Sequence, residues 1–75
     1  MENVDTLSSV TGAVWKIEKK IGDSVDEGEQ IMILESMKME IPVEAPARGK
    51  IISINVNEGD GVEENQVVAV IEAAG

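Results

Sequence analysis

Apolar residues along this chain alternate with polar ones or gather in short runs. Ile52, Ile54 and Val56 are separated by Ser53 and Asn55, the period of two that a half-buried strand requires. Residues 31–34 and 67–71 form the longest apolar runs, each far too short to span a bilayer. Gly22-Asp23 and Gly59-Asp60 are turn signals, and they leave room for only brief strands at Ser24-Val25 and Gly61-Val62. The pattern predicts strands over residues 4–8, 13–19, 24–25 and 30–35, and again over 41–45, 50–56, 61–62 and 67–72. Pro42 places its strand at a sheet edge or a bulge. Pro46 ends that strand and opens a turn with Ala47, Arg48 and Gly49.

The two sets of four strands are a repeat at a constant offset of 37 residues. Gly12 falls on Gly49, Val14 on Ile51, Ile17 on Ile54, and Gly22-Asp23 on Gly59-Asp60. Val25 falls on Val62, and Ile31, Ile33, Leu34 and Glu35 fall on Val68, Val70, Ile71 and Glu72. Gly28 falls on Asn65, and these are the two residue types that best tolerate a left-handed backbone. Two four-strand halves, each with an apolar face, must pack on one another to bury it. The expected fold is therefore all-β: a flattened eight-strand barrel or sandwich of two four-stranded antiparallel sheets with pseudo-two-fold symmetry, a single domain over residues 1–75.

Composition supports this class and narrows the chemistry. Nineteen residues are Val or Ile and only two are Leu, and Cβ branching favours a pleated surface. Cysteine and histidine are absent. That removes disulfides, thiolate or imidazole metal ligands, and catalytic triads built on either residue. No spacing of carboxylates marks a catalytic pair, so the chain is expected not to be an enzyme alone and to hold no metal. A net charge of −9 disfavours nucleic acid and anionic membranes as partners. Residues 1–5 lack the features of a signal peptide, and a cytoplasmic, monomeric domain is expected.

The residue that the repeat singles out is Lys38. It is the sole cation between Lys20 and Arg48, and it stands at the joint where one half ends and the next begins. The chain must reverse there, yet Ser36-Met37-Lys38-Met39 contains no Gly, Asn, Asp or Pro. A tight turn built from Met and Lys is strained, and strain of that kind gathers at functional sites.

Glu35-Ser36-Met37-Lys38-Met39, with Ala45-Pro46-Ala47-Arg48-Gly49 beyond it, resembles the biotinyl domains of biotin-dependent carboxylases, members of the biotinyl/lipoyl family. The resemblance covers nearly the whole chain and is strongest to the small stand-alone biotin/lipoyl attachment proteins. It implies a carrier. A biotin protein ligase would join biotin to the ε-amine of Lys38, and a biotin carboxylase and a carboxyltransferase would load and unload the carboxyl group. Lysine amines titrate near about 10.4, so the ligase must supply deprotonation. The acylated side chain becomes a long tether that raises the effective concentration of its cargo at two active sites. Met37 and Met39 read either as apolar cover for the end of the barrel or as residues that a ligase recognises. Glu35 and Glu40 read as solvated charges, and the family pattern adds a possible role for Glu35 in ligase recognition. Trp15 reads as core or as a patch on the barrel wall, and Lys16, Lys19 and Lys20 as a basic cluster balancing local acid.

Three departures qualify the resemblance. Ser36 stands where the family commonly has alanine, and Ser9-Val10-Thr11 where it commonly has a proline. The spacing from Gly12 to Gly28 leaves no room for the protruding thumb of some bacterial carriers. Two other readings remain open: a lipoyl carrier of an oxidative complex, although lipoyl domains typically show an Asp-Lys-Ala-like tip, and an unmodified barrel serving as an assembly module.

Overall fold

β-Branched runs become strands wherever the repeat predicts them. In the computed structural model, which describes residues 2–74, eight strands follow one another: β1 (Asn3–Leu7), β2 (Gly12–Ile17), β3 (Ser24–Val25), β4 (Gln30–Ser36), β5 (Met39–Glu44), β6 (Gly49–Ile54), β7 (Gly61–Val62) and β8 (Val67–Ala73). Met1 and Gly75, the outer limits of the expected domain, lie outside the described residues. The strands form two four-stranded antiparallel sheets, ordered β1-β8-β6-β3 and β5-β4-β2-β7. They stay separate as a sandwich and do not close into a barrel.

The halves of the repeat do not each make a sheet, contrary to the expectation of two stacked four-strand units. Each sheet takes two strands from each half. The physical reason lies at the joint. Only Met37 and Lys38 separate β4 from β5, and a two-residue loop forces its flanking strands to be antiparallel neighbours. β5 of the second half is thereby committed to the sheet of β4. By the same symmetry β1 joins β8, the counterpart of β4.

The 37-residue offset reappears in the backbone hydrogen bonds. Gly22 N donates to Ile51 O and Gly59 N to Val14 O, both at 2.7 Å. Gly28 N donates to Ala45 O at 2.8 Å and Asn65 N to Ser8 O at 2.7 Å. Gly28 and Asn65 have φ of 85° and 70°, so both halves turn through the left-handed region at the equivalent place. Pro42 lies on β5, an edge strand, where its missing N–H costs no ladder bond.

The core lies between the sheets and includes Val14, Leu34, Ile51, Val68 and Ile71, all essentially inaccessible. A bulge present in each half decides one expectation and corrects another. The register slips between Val14 and Lys16 on β2, and between Ile51 and Ser53 on β6. The extra residue lets a second side chain face outward. Of the two readings of Trp15, its exposure agrees with the patch on the wall and not with core, and Ile52, its repeat partner, is exposed while Ile51 is buried. The apolar phase of β6 therefore begins one residue earlier than the Ile52-Ile54-Val56 alternation suggests.

Gly49 at the start of β6 faces Ala73, and the chain leaving β6 brings Gly59 to Val14, beside the end of β4. The β4–β5 turn and the Asn3–Glu72 pair therefore stand at opposite ends of a molecule 37 Å long.

Candidate functional site

The β4–β5 hairpin ends in Met37 and Lys38, whose φ angles are 52° and 63°. Positive φ at both central residues is the type I′ turn, whose twist matches that of the flanking strands and which Asn-Gly ordinarily supplies. Here two L-residues with long side chains hold it. Among the described residues the other non-glycine with positive φ is Asn65, a residue type that tolerates it.

The hairpin base is held from below. Gly12 approaches β4 so closely that a Cβ there would stand 2.4 Å from Glu35 O and 3.2 Å from Ser36 Cβ. Ser36 Oγ donates to Thr11 O at 3.0 Å, and Glu64 N donates to Thr11 Oγ1 at 3.1 Å. The serine in the usual alanine position thus ties the hairpin to the β1–β2 connection, a link that sequence reasoning missed. The pairing of Gly12 with Gly49 in the repeat was its one visible signal: a Cβ on Gly49 would likewise stand 2.1 Å from Glu72 O.

Above this base the tip projects into solvent. Met37 is 92% exposed and Met39 62%, so neither covers the end of the sandwich. Lys38 is exposed, and no ion pair or side-chain hydrogen bond engages it among the described residues. Glu35 and Glu40 are exposed and face each other directly across the hairpin. The other lysines sit differently. Lys16 and Lys50 lie within strands and Lys20 precedes the Gly22 turn. Lys19 is half-buried and ion-paired with Glu29 at 2.5 Å. That hydrogen-bonded pairing raises the Lys19 amine above its ordinary range. Glu29 is held below its own range first by Lys19 and then by the N–H of Asp26. Among the described residues Lys38 is the one lysine at the apex of a hairpin, where no ion pair or side-chain hydrogen bond engages its amine. An open hollow of about 570 Å³, lined by Asp26, Arg48, Lys50 and Glu72 among others, lies at the opposite end and plays no part in this tip.

Residues 5–71 match the family model described as biotin-requiring enzyme. The chain belongs to the biotin/lipoyl attachment family. It is 42% identical over 59 residues to the biotin/lipoyl attachment protein of Bacillus subtilis, an alignment covering 79% of this chain and 81% of that protein. In the crystal structure of the Kluyveromyces lactis urea carboxylase a segment superposes with a TM-score of 0.90 at 38% identity, covering 96% of this chain and 6% of that enzyme. A relative of the other kind is the dihydrolipoyllysine-residue succinyltransferase component of the 2-oxoglutarate dehydrogenase complex of Staphylococcus saprophyticus. It is 39% identical over 70 residues, covering 93% of this chain and 16% of that protein. The attachment family supplies small carrier domains that are not catalytic by themselves, and this chain spans only a small part of the large enzymes it matches.

Proposed function

We propose that the chain carries biotin as an amide on Lys38 and moves a carboxyl group between a biotin carboxylase and a carboxyltransferase in the cytoplasm. The observation that carries this reading is Lys38 at a strained, exposed hairpin apex, its amine unengaged among the described residues. An amine in that position fits covalent attachment, since acylation displaces no contact of the fold. When bound, biotin supplies a ureido nitrogen that accepts and releases the carboxyl group. The chain's own residues do the positioning. The Gly12 contact and the Ser36–Thr11 hydrogen bond fix the base of the hairpin, and the type I′ turn sets where the amine stands. Met37 and Met39 offer an apolar surface to the ligase on either side of the target, and Glu35 marks the hairpin three residues before it.

Likeness to the carboxylase segment supports biotin over lipoate, as does the Met37-Lys38-Met39 frame. The second reading, a lipoyl carrier, is supported by the succinyltransferase relative, which at 39% identity is as similar in sequence as the carboxylase segment at 38%. Intact-mass measurement after incubation with ATP and either a biotin ligase with biotin or a lipoate ligase with lipoate separates the two. We expect one biotinyl increment on the wild type, none on Lys38→Arg, and no lipoyl increment. Lys38→Arg keeps the charge and removes the acylatable amine. A lipoyl increment, or biotin on Lys38→Arg, overturns the proposal.

A further inference from the structure

Three methionines lie among the described residues, and their exposures differ sharply. Met37 is 92% exposed, Met39 62%, and Met32 is fully buried in the core. A thioether is oxidised where a peroxide reaches its sulfur, so the fold concentrates this chemistry on the two residues that frame Lys38. In the step, a sulfur lone pair attacks one peroxide oxygen and the O–O bond breaks. An S–O bond forms and, after proton transfer, water leaves. The sulfur is oxidised by two electrons and the peroxide reduced by two.

We propose that Met37 and Met39 form a peroxide-responsive modification site whose sulfoxides slow acylation of Lys38. The second half of this proposal rests on the function proposed above. Neither side chain packs into the core, so adding oxygen leaves the sandwich intact. The consequence falls on the partner. A flexible apolar side chain becomes a polar one, and a ligase surface that desolvates the thioethers must instead bury an S=O group. An unsatisfied polar group of this kind lowers kcat/KM by about ten-fold or more. Methionine sulfoxide reductases reverse the change, so the slowing of acylation is itself reversible.

The test treats the whole chain with hydrogen peroxide, maps the oxygen additions by peptide mass, and then measures biotin incorporation by a ligase. Sulfoxide is expected on Met37 and Met39 well before Met32, with the thermal midpoint unchanged. Ligase kcat/KM is expected to fall about ten-fold or more, and reductase treatment to restore it. Met37→Leu/Met39→Leu is compared only with its own untreated rate, which peroxide is expected to leave unchanged. Oxidation of Met32 as fast as Met37 overturns the assignment of the site. Undiminished acylation of the oxidised chain, or an equal loss in the leucine variant, overturns the effect on acylation. An untreated chain that takes no label overturns the proposed function and that effect with it, while the oxidation map is decided by its own masses.

Discussion

Replacing Met37-Lys38 by Asn-Gly is expected to make this protein more stable while removing the amine proposed to accept biotin. Met37 and Lys38 hold φ of 52° and 63°. The left-handed region costs an ordinary L-residue roughly 1–2 kcal/mol, so the wild-type turn carries about 2–4 kcal/mol of backbone strain. Asn lowers that cost at the first position and Gly abolishes it at the second. Glycine gives back about 0.5–1 kcal/mol through the greater entropy of the unfolded chain. The side chains contribute little in opposition, because Met37 is 92% exposed and Lys38 is exposed with no ion pair or side-chain hydrogen bond among the described residues. The net gain is about 1–2 kcal/mol. For a domain of this size that corresponds to a rise in thermal midpoint of roughly 4–16 °C. Urea unfolding of wild type and Met37→Asn/Lys38→Gly should give the same m value and a higher midpoint for the variant, since the buried surface is unchanged. A variant as stable as the wild type, or less so, would show that the turn stores no strain.

Three further outcomes follow from particular contacts. Thr6 is buried with Oγ1 unpartnered, and its repeat counterpart is the buried Val43, so Thr6→Val should raise stability by about 1–2 kcal/mol in thermal melts. Gly12→Ala and Gly49→Ala should each cost about 1–3 kcal/mol, because the new Cβ meets a backbone carbonyl at 2.4 and 2.1 Å. Only the first should also slow biotin incorporation, since Gly49 lies at the far end. The Lys19–Glu29 pair sets a pH window. Glu29 is depressed from its ordinary 4.5, so its contribution is present above that value and lost as pH falls through the lower folded value. Lys19 is raised from 10.5, so its contribution is present below that value and lost as pH rises further. The stability difference between wild type and Lys19→Met should therefore be flat between these limits and shrink outside them.

Much of this was legible because the repeat imposes the same interior twice. Gly28 and Asn65, Gly22 and Gly59, and the fourth strands β4 and β8 could be placed without any knowledge of neighbours. Lys38 was legible for the same reason: its position at the joint, and not its local sequence, required a reversal. The strand exchange was harder to see, since pairing across halves is a tertiary property that local alternation does not encode. It was implied all the same by the tight turn, which cannot join strands of separate sheets. Ile52 escaped, and Trp15 stayed between two readings, because a bulge shifts the phase of alternation without any Gly or Pro to announce it. The Ser36–Thr11 hydrogen bond joins residues 25 positions apart, beyond the reach of any local pattern.

Under the proposed function, the geometry of the β4–β5 apex, and not merely a lysine near methionines, makes Lys38 the acceptor. Exchanging the two apex residues, Met37→Lys/Lys38→Met, tests this while preserving composition and net charge. Both residues lie on the exposed turn, so circular dichroism and the thermal midpoint should match wild type. The lysine is moved by one position in a turn where each residue directs its side chain differently, as a one-residue slip does along a strand. Ligase-catalysed biotin incorporation should then fall to near background. Incorporation at the wild-type rate would show that the ligase reads a mobile lysine in a loose peptide, and would contradict the role assigned to the turn.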